Sequence, residues 1–181
     1  RMGKVTDGNT ISDYDKEEIK RQFSISTSLI PLEYEGDNGP IKINLLDTPG
    51  FFDFVGEAEE AISAADAAII VVNCKAGIEV GTEKAWEMCE KLNLPRLIFV
   101  TNMDDDHASY RELVLKLETR FGRKIAPFQL PIRENEKFVG FVNVVKMGGR
   151  RFTNLSDYEE CPIPDYVEKN LGIAREALME A

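Results

Sequence analysis

Two apolar runs, "AAIIVVNC" (67–74) and "RLIFVTN" (96–102), constrain this chain more than any other feature. Each is continuous rather than alternating, the pattern of strands buried on both faces of a parallel sheet. Parallel strands cannot be closed by a tight turn and need a crossover, usually a helix. Residues 80–92 supply one, with Trp86, Cys89 and Leu92 at spacings that predict inward positions. The same alternation extends to both sides. In 54–65, Phe54, Ala58, Ala61, Ile62 and Ala65 recur at helical spacing, opposite Glu57, Glu59 and Glu60. Ser109-Tyr110-Arg111-Glu112 has the spacing of a capping box, and "LVLKLETRF" then runs to Gly122, a helix stop. Strands alternating with helices from 41 to 122 predict a parallel α/β sheet with right-handed crossovers.

The flanks read differently. Residues 1–24 are polar and weakly periodic, which predicts a loop or mobile segment. "STSLIPLEYE" (26–35) and "IKINLLD" (41–47) predict two strands joined by the turn "GDNGP". Beyond Gly122, "KIAPFQLPI" and "KFVGFVNVVKMGGRRF" are strand-like and separated by "RENE", which predicts a β-rich insertion; a last helix is expected over 164–181. A length of 181 residues suits one domain, with or without such an insertion. The net charge of −10 argues against a general electrostatic grip on nucleic acid or anionic lipid. No apolar run approaches the roughly 18–20 residues that cross a bilayer. Cys74, Cys89 and Cys161 are scattered and outside any CxxC spacing, as expected of reduced core thiols in a cytosol. His107 is the only histidine, so a His-based metal cluster is excluded.

Chemistry concentrates at two strand ends, where ligands bind in open α/β sheets. The first is Asp47-Thr48-Pro49-Gly50. A carboxylate there suits Mg²⁺, a hard ion that keeps several waters, and the glycine lets a backbone N–H approach a phosphate. The second is Thr101-Asn102-Met103-Asp104. A carboxylate at that point can accept from the N1–H and exocyclic amine of guanine, a donor pair that adenine lacks. The simpler readings are a strand-end cap for Asp47 and membership of the solvated run Asp104-Asp105-Asp106 for Asp104.

The stretch "DTPGFFDFVGEAEEAISAADAAIIVVNCKAGIEVGTEKAWEMCEKLNLPRLIFVTNMD" resembles the G domain of a translational GTPase, of the elongation factor G group in particular. "KEEIKRQFSISTS" resembles that family's first switch, and "FVGFVNVVKMGGRRF" resembles the strand-rich insertion of the group. The resemblance covers nearly the whole chain and implies a P-loop NTPase-type G domain: a mainly parallel sheet flanked by helices, with a β-rich insertion. Residues 1–122 would then be a partial G domain carrying both switches and the guanine motif, and 123–181 the insertion and its helix. It further implies GTP or GDP with Mg²⁺ as ligands. The expected nucleotide contacts are Asp47, Thr48, Pro49, Gly50, Phe51, Thr101, Asn102, Met103 and Asp104, and the expected metal ligands Ser24 and Asp47. The implied partner is the large ribosomal subunit, in the cytoplasm of a bacterium, with no membrane and no sequence-specific nucleic-acid contact.

Three departures from the family pattern stand out. The first-switch pattern Arg-Gly-Ile-Thr-Ile is matched by Arg21-Gln22-Phe23-Ser24-Ile25, so a serine hydroxyl replaces the metal-ligating threonine; an ordinary loop serine is the plainer reading. Asn-Lys-x-Asp is matched by Thr101-Asn102-Met103-Asp104, which keeps the base-reading carboxylate alone. Phe51 stands where the family has the histidine that orients the attacking water, and a phenyl ring can neither donate to nor accept from that water. The chain contains no G-x-x-x-x-G-K-[ST] loop and no later Ser-Ala-Lys-type motif, so it is expected to be a piece of a longer multidomain protein, inactive alone. The alternative function is a non-hydrolysing ribosome-binding or regulatory paralogue. A MinD- or ParA-like ATPase also carries Asp-x-x-Gly after a strand, but the first-switch likeness and the insertion disfavour it.

Overall fold

The computed structural model describes residues 3–105, 107–122, 124–154 and 157–180. Asp106, the last member of the acidic run, and Arg1 lie outside them. The chain forms two units: one of residues up to Ile70 with Val80–Ile98, the other of Val71–Glu79 with residues from Phe99 onward.

In the first unit, a short helix α1 (Lys16–Arg21) precedes a hairpin of β1 (Ser28–Gly36) and β2 (Gly39–Asp47). The hairpin is antiparallel and joined by Asp37-Asn38, with Gly39 at φ 109° making the exit that an L side chain resists. A 3₁₀ turn (Phe52–Phe54) leads into α2 (Val55–Ala64), and α3 (Val80–Lys91) packs beside α2. Trp86 and Cys89 point inward as their spacing predicts. Leu92 does not: it falls just past the helix end and is 51% exposed, because the helical register no longer applies there. Residues 3–24 also depart from expectation. They are not an unstructured loop, because Asp15 accepts the Glu17 N–H at 2.7 Å and caps α1, while Glu18 reaches back to the Asp15 N–H at 3.2 Å.

β3 (Ala68–Asn73) and β4 (Arg96–Thr101) pair with each other. The Ala68 N–H donates to the Pro95 carbonyl at 2.9 Å. The Cys74 N–H donates to Thr101 at 3.0 Å, the same number of residues further along both strands, so the pair is parallel. One face, with Ile70 and Val72, is buried. The other carries Ile69, Val71, Leu97 and Phe99, each about half exposed or more (49–61%). The expectation of strands buried on both faces therefore holds for one face only, since nothing among the described residues covers the other.

In the second unit, α4 (Tyr110–Phe121) starts at Ser109, whose hydroxyl accepts the Glu112 N–H, and ends at Gly122 with φ 85°. Four strands then form an antiparallel sheet in sequential order: β5 (Gln129–Glu134), β6 (Lys137–Asn143), β7 (Gly148–Phe152) and β8 (Tyr158–Cys161). The β5–β6 turn places Asn135 and Glu136 at φ 48° and 67°, the left-handed pair that matches strand twist. α5 (Asp165–Glu180) packs Val167, Leu171 and Ala174 against Ile132, Val142 and Val144, the core of this unit.

Candidate nucleotide-binding site

The site residues expected at the first strand end lie in the first unit. Asp47 closes β2 opposite Ser28, with its side chain in solvent; Thr48 is half-buried and Pro49 buried. Gly50 is exposed, and a Cβ added to it would meet nothing within 4 Å, so the chain's own packing does not call for glycine there. Its backbone is open to approach from outside, which a phosphate contact requires.

The segment before β1 is tied down side chain by side chain. Glu18 is 3% exposed and accepts the N–H groups of Ile25 at 2.9 Å and Ser26 at 3.1 Å. Burial raises its pKa, but the three backbone donors outweigh that and hold its carboxyl below the ordinary range. The Ser24 hydroxyl donates to Asp13 at 2.7 Å, and the Ser28 hydroxyl to the Ser12 carbonyl at 2.6 Å. Thr27 meets α2 twice: its N–H donates to the Glu57 carboxylate at 2.6 Å and its hydroxyl to the Glu57 carbonyl at 3.2 Å. The Phe23 ring lies 4.7 Å from that of Phe51, at 58°, and 6.4 Å from that of Phe54. Both resembled switch segments are thus joined through two aromatic contacts and Glu57. α1 ends in Gln22 at φ 60°, a left-handed residue at the position where the resembled pattern has glycine.

The second group belongs to the second unit. Thr101 ends β4, and its hydroxyl reaches the Val72 carbonyl at 3.5 Å. Asn102 has φ 55° and accepts from the Asn73 side-chain amide at 3.0 Å. Met103 is buried and Asp104 exposed. Asp105 accepts the His107 N–H at 2.9 Å and pairs with Lys75 at 3.3 Å, and these two partners lower its pKa. Arg133 donates to the carbonyls of Met103 at 2.8 Å and Ala108 at 3.1 Å. The loop is anchored on both sides of Asp104 while that carboxylate faces solvent. The buried thiols of Cys74 and Cys89 are pushed up in pKa by burial, which disfavours their thiolate forms.

Comparison with known proteins places this geometry. The model of the elongation factor Tu GTP-binding domain matches residues 1–171. The chain belongs to this GTP-binding domain family. An elongation factor G-like protein of Mycobacterium tuberculosis is 39% identical over 131 residues, 72% of this chain and 18% of the relative. An elongation factor G of Thermotoga petrophila is 32% identical over 181 residues, 99% of this chain and 26% of the relative. A crystal structure of a Thermus thermophilus protein superposes with a TM-score of 0.90 at 35% identity, covering 99% of this chain and 26% of that one. The chain therefore spans about a quarter or less of these relatives. Its fold is the α/β fold of an elongation factor GTP-binding domain, with the parallel pairing carried by β3–β4.

Several residues that shape this GTP-binding domain carry no motif of their own. Asp13, Glu18 and Glu57 are ordinary acidic residues in sequence, and only the groups that donate to them reveal their work. Asn73 and Lys75 end an apolar run, a position that could have drawn attention. Arg133 opens "RENE", which reads in sequence as a polar turn, and gives no signal at all.

Proposed function

We propose that the chain is the guanine-nucleotide-binding part of an elongation factor G-like protein that acts with Mg²⁺ at the large ribosomal subunit, in the cytoplasm. Residues 123–181 are its insertion and terminal helix. The observation that carries this reading is Asp104, an exposed carboxylate on a loop anchored at Asn102, Met103, Asp105 and Ala108. Asp47, Thr48, Pro49, Gly50 and Phe51 face the phosphates in this reading, and Thr101, Asn102, Met103 and Asp104 the base. Ser24 and Asp47 offer hard oxygen donors suited to Mg²⁺. Among the described residues no group of three or more His, Cys, Asp or Glu could hold a metal ion. The donor set fits Mg²⁺ shared with phosphate oxygens and water, as is usual for that ion.

Guanine recognition is tested in the natural full-length protein by Asp104→Asn. An amide presents a donor where the carboxylate accepts, so preference should move from GDP to XDP, whose C2 carries an oxygen in place of the amine. Unchanged preference would refute the base-reading role. Phe51 favours a second reading, a non-hydrolysing ribosome-binding paralogue, because its ring is engaged by Phe23 and cannot handle a water proton.

A further inference from the structure

We infer that Arg133 is a positioning residue for base recognition, holding the loop that carries Asp104 from both ends. The inference rests on Asp104 reading guanine. β5 and β6 lose register between Ile132 and Arg133, an irregularity of the kind that re-aims a side chain. The Tyr166 hydroxyl of α5 fixes the shifted backbone, accepting the Arg133 N–H at 2.8 Å and donating to the Arg133 carbonyl at 2.9 Å. The guanidinium is thereby committed. One terminal nitrogen donates to Met103, just before Asp104, and to Ala108, just before the cap of α4. The other donates to the Glu136 carbonyl at 2.8 Å, within the β5–β6 turn. A planar, always-charged fork suits this task, because its donors keep fixed directions.

The Asp104 side chain is exposed, so the path of its backbone decides where its two oxygens point. Two bonds from guanine arise only if both oxygens meet N1–H and the exocyclic amine together. Inosine nucleotides keep N1–H and lack that amine, so the ratio of GDP to IDP affinity reads the alignment of Asp104 directly.

The experiment measures GDP and IDP binding to the natural full-length protein, for wild type, Asp104→Asn, Arg133→Met and Arg133→Lys. Wild type should prefer GDP, and Asp104→Asn should abolish that preference, which establishes the base reading independently of Arg133. Arg133→Met should then lower the GDP-to-IDP ratio about tenfold, the effect of losing one charge-assisted bond. Arg133→Lys, which keeps a donor and the fold, should restore part of the ratio. Hydrogen exchange should show faster exchange confined to 103–108 in the methionine variant. An unchanged ratio in both Arg133 variants overturns the inference, and so does an equal loss of both affinities, which would mark Arg133 as merely structural. A wild type without GDP preference overturns the base reading itself and the positioning role with it.

Discussion

Phe51 and Gly50 are neighbours with opposite relations to the fold. Gly50 is surrounded by open space, so the packing of the chain itself does not require its lack of a side chain. Phe51 is spoken for: it faces Phe23, itself an aromatic where the resembled pattern has isoleucine. An aromatic pair contributes about 0.5–1.5 kcal/mol beyond its area, enough to bias where residue 51 sits. In the full-length protein, ribosome-stimulated GTP turnover of Phe51→His should exceed that of wild type by ~10²-fold or more, the usual worth of a proton-handling or positioning side chain. Equally fast turnover in both would show that residue 51 is not needed for hydrolysis. What a sequence conveys at this scale is residue type. Asp47, Gly50 and Asp104 stand out because they follow apolar strands in a family-like pattern, although a strand-end cap and a solvated acidic run are simpler uses of the two carboxylates. Glu18 does not, since an acidic residue in a charged run looks solvated until its amide partners are seen.

At the scale of elements, α1 and the segment after it stand on one carboxylate. Glu18 accepts three backbone N–H groups, and its folded-state pKa lies below the unfolded value near 4.3. Its contribution is therefore complete above that unfolded value and is lost as pH falls through the folded one. Glu18→Gln should cost about 1–3 kcal/mol at pH 7, with the gap from wild type closing below about pH 4; chemical denaturation at several pH values measures it. A gap independent of pH would mean the charge is not what matters. The sheet of β5 to β8 depends on close approach instead. A Cβ on Gly140 would fall on the Arg150 carbonyl and within 2.9 Å of the Arg151 Cα, both backbone atoms of the paired strand. Gly140→Ala should cost about 1–3 kcal/mol by overpacking, seen as a lower melting temperature. The helices α2 to α4 are legible in sequence through their apolar spacing, and α4 through its end signals as well. β8 is not, since "YEEC" has neither alternation nor β-rich composition; it forms because β7 offers an edge and Arg150 stacks 4.4 Å from the Tyr158 ring centre.

At the scale of the molecule, the two units are not packed alike. The second unit has a closed core around Val142, Val144 and Leu171. In the first unit the hairpin leaves Leu32, Tyr34, Ile41, Ile43 and Leu45 at 38–60% exposure. This chain by itself should show no saturable GTP hydrolysis, because it has no Walker-type loop to supply the main phosphate contacts; a colorimetric phosphate assay on residues 1–181 would detect any exception. Although α1 and β8 were not legible, the family and the alternation of strands and helices from β2 to α4 were determined by sequence alone. Each depends on local spacing and residue type, which act over a few positions of the chain. Which strand faces are covered, how Phe23 meets Phe51, and how Arg133 reaches Met103 and Ala108 were decided by tertiary structure. Those contacts join residues about 25 or more positions apart, and no local periodicity encodes where a folded chain brings such residues together.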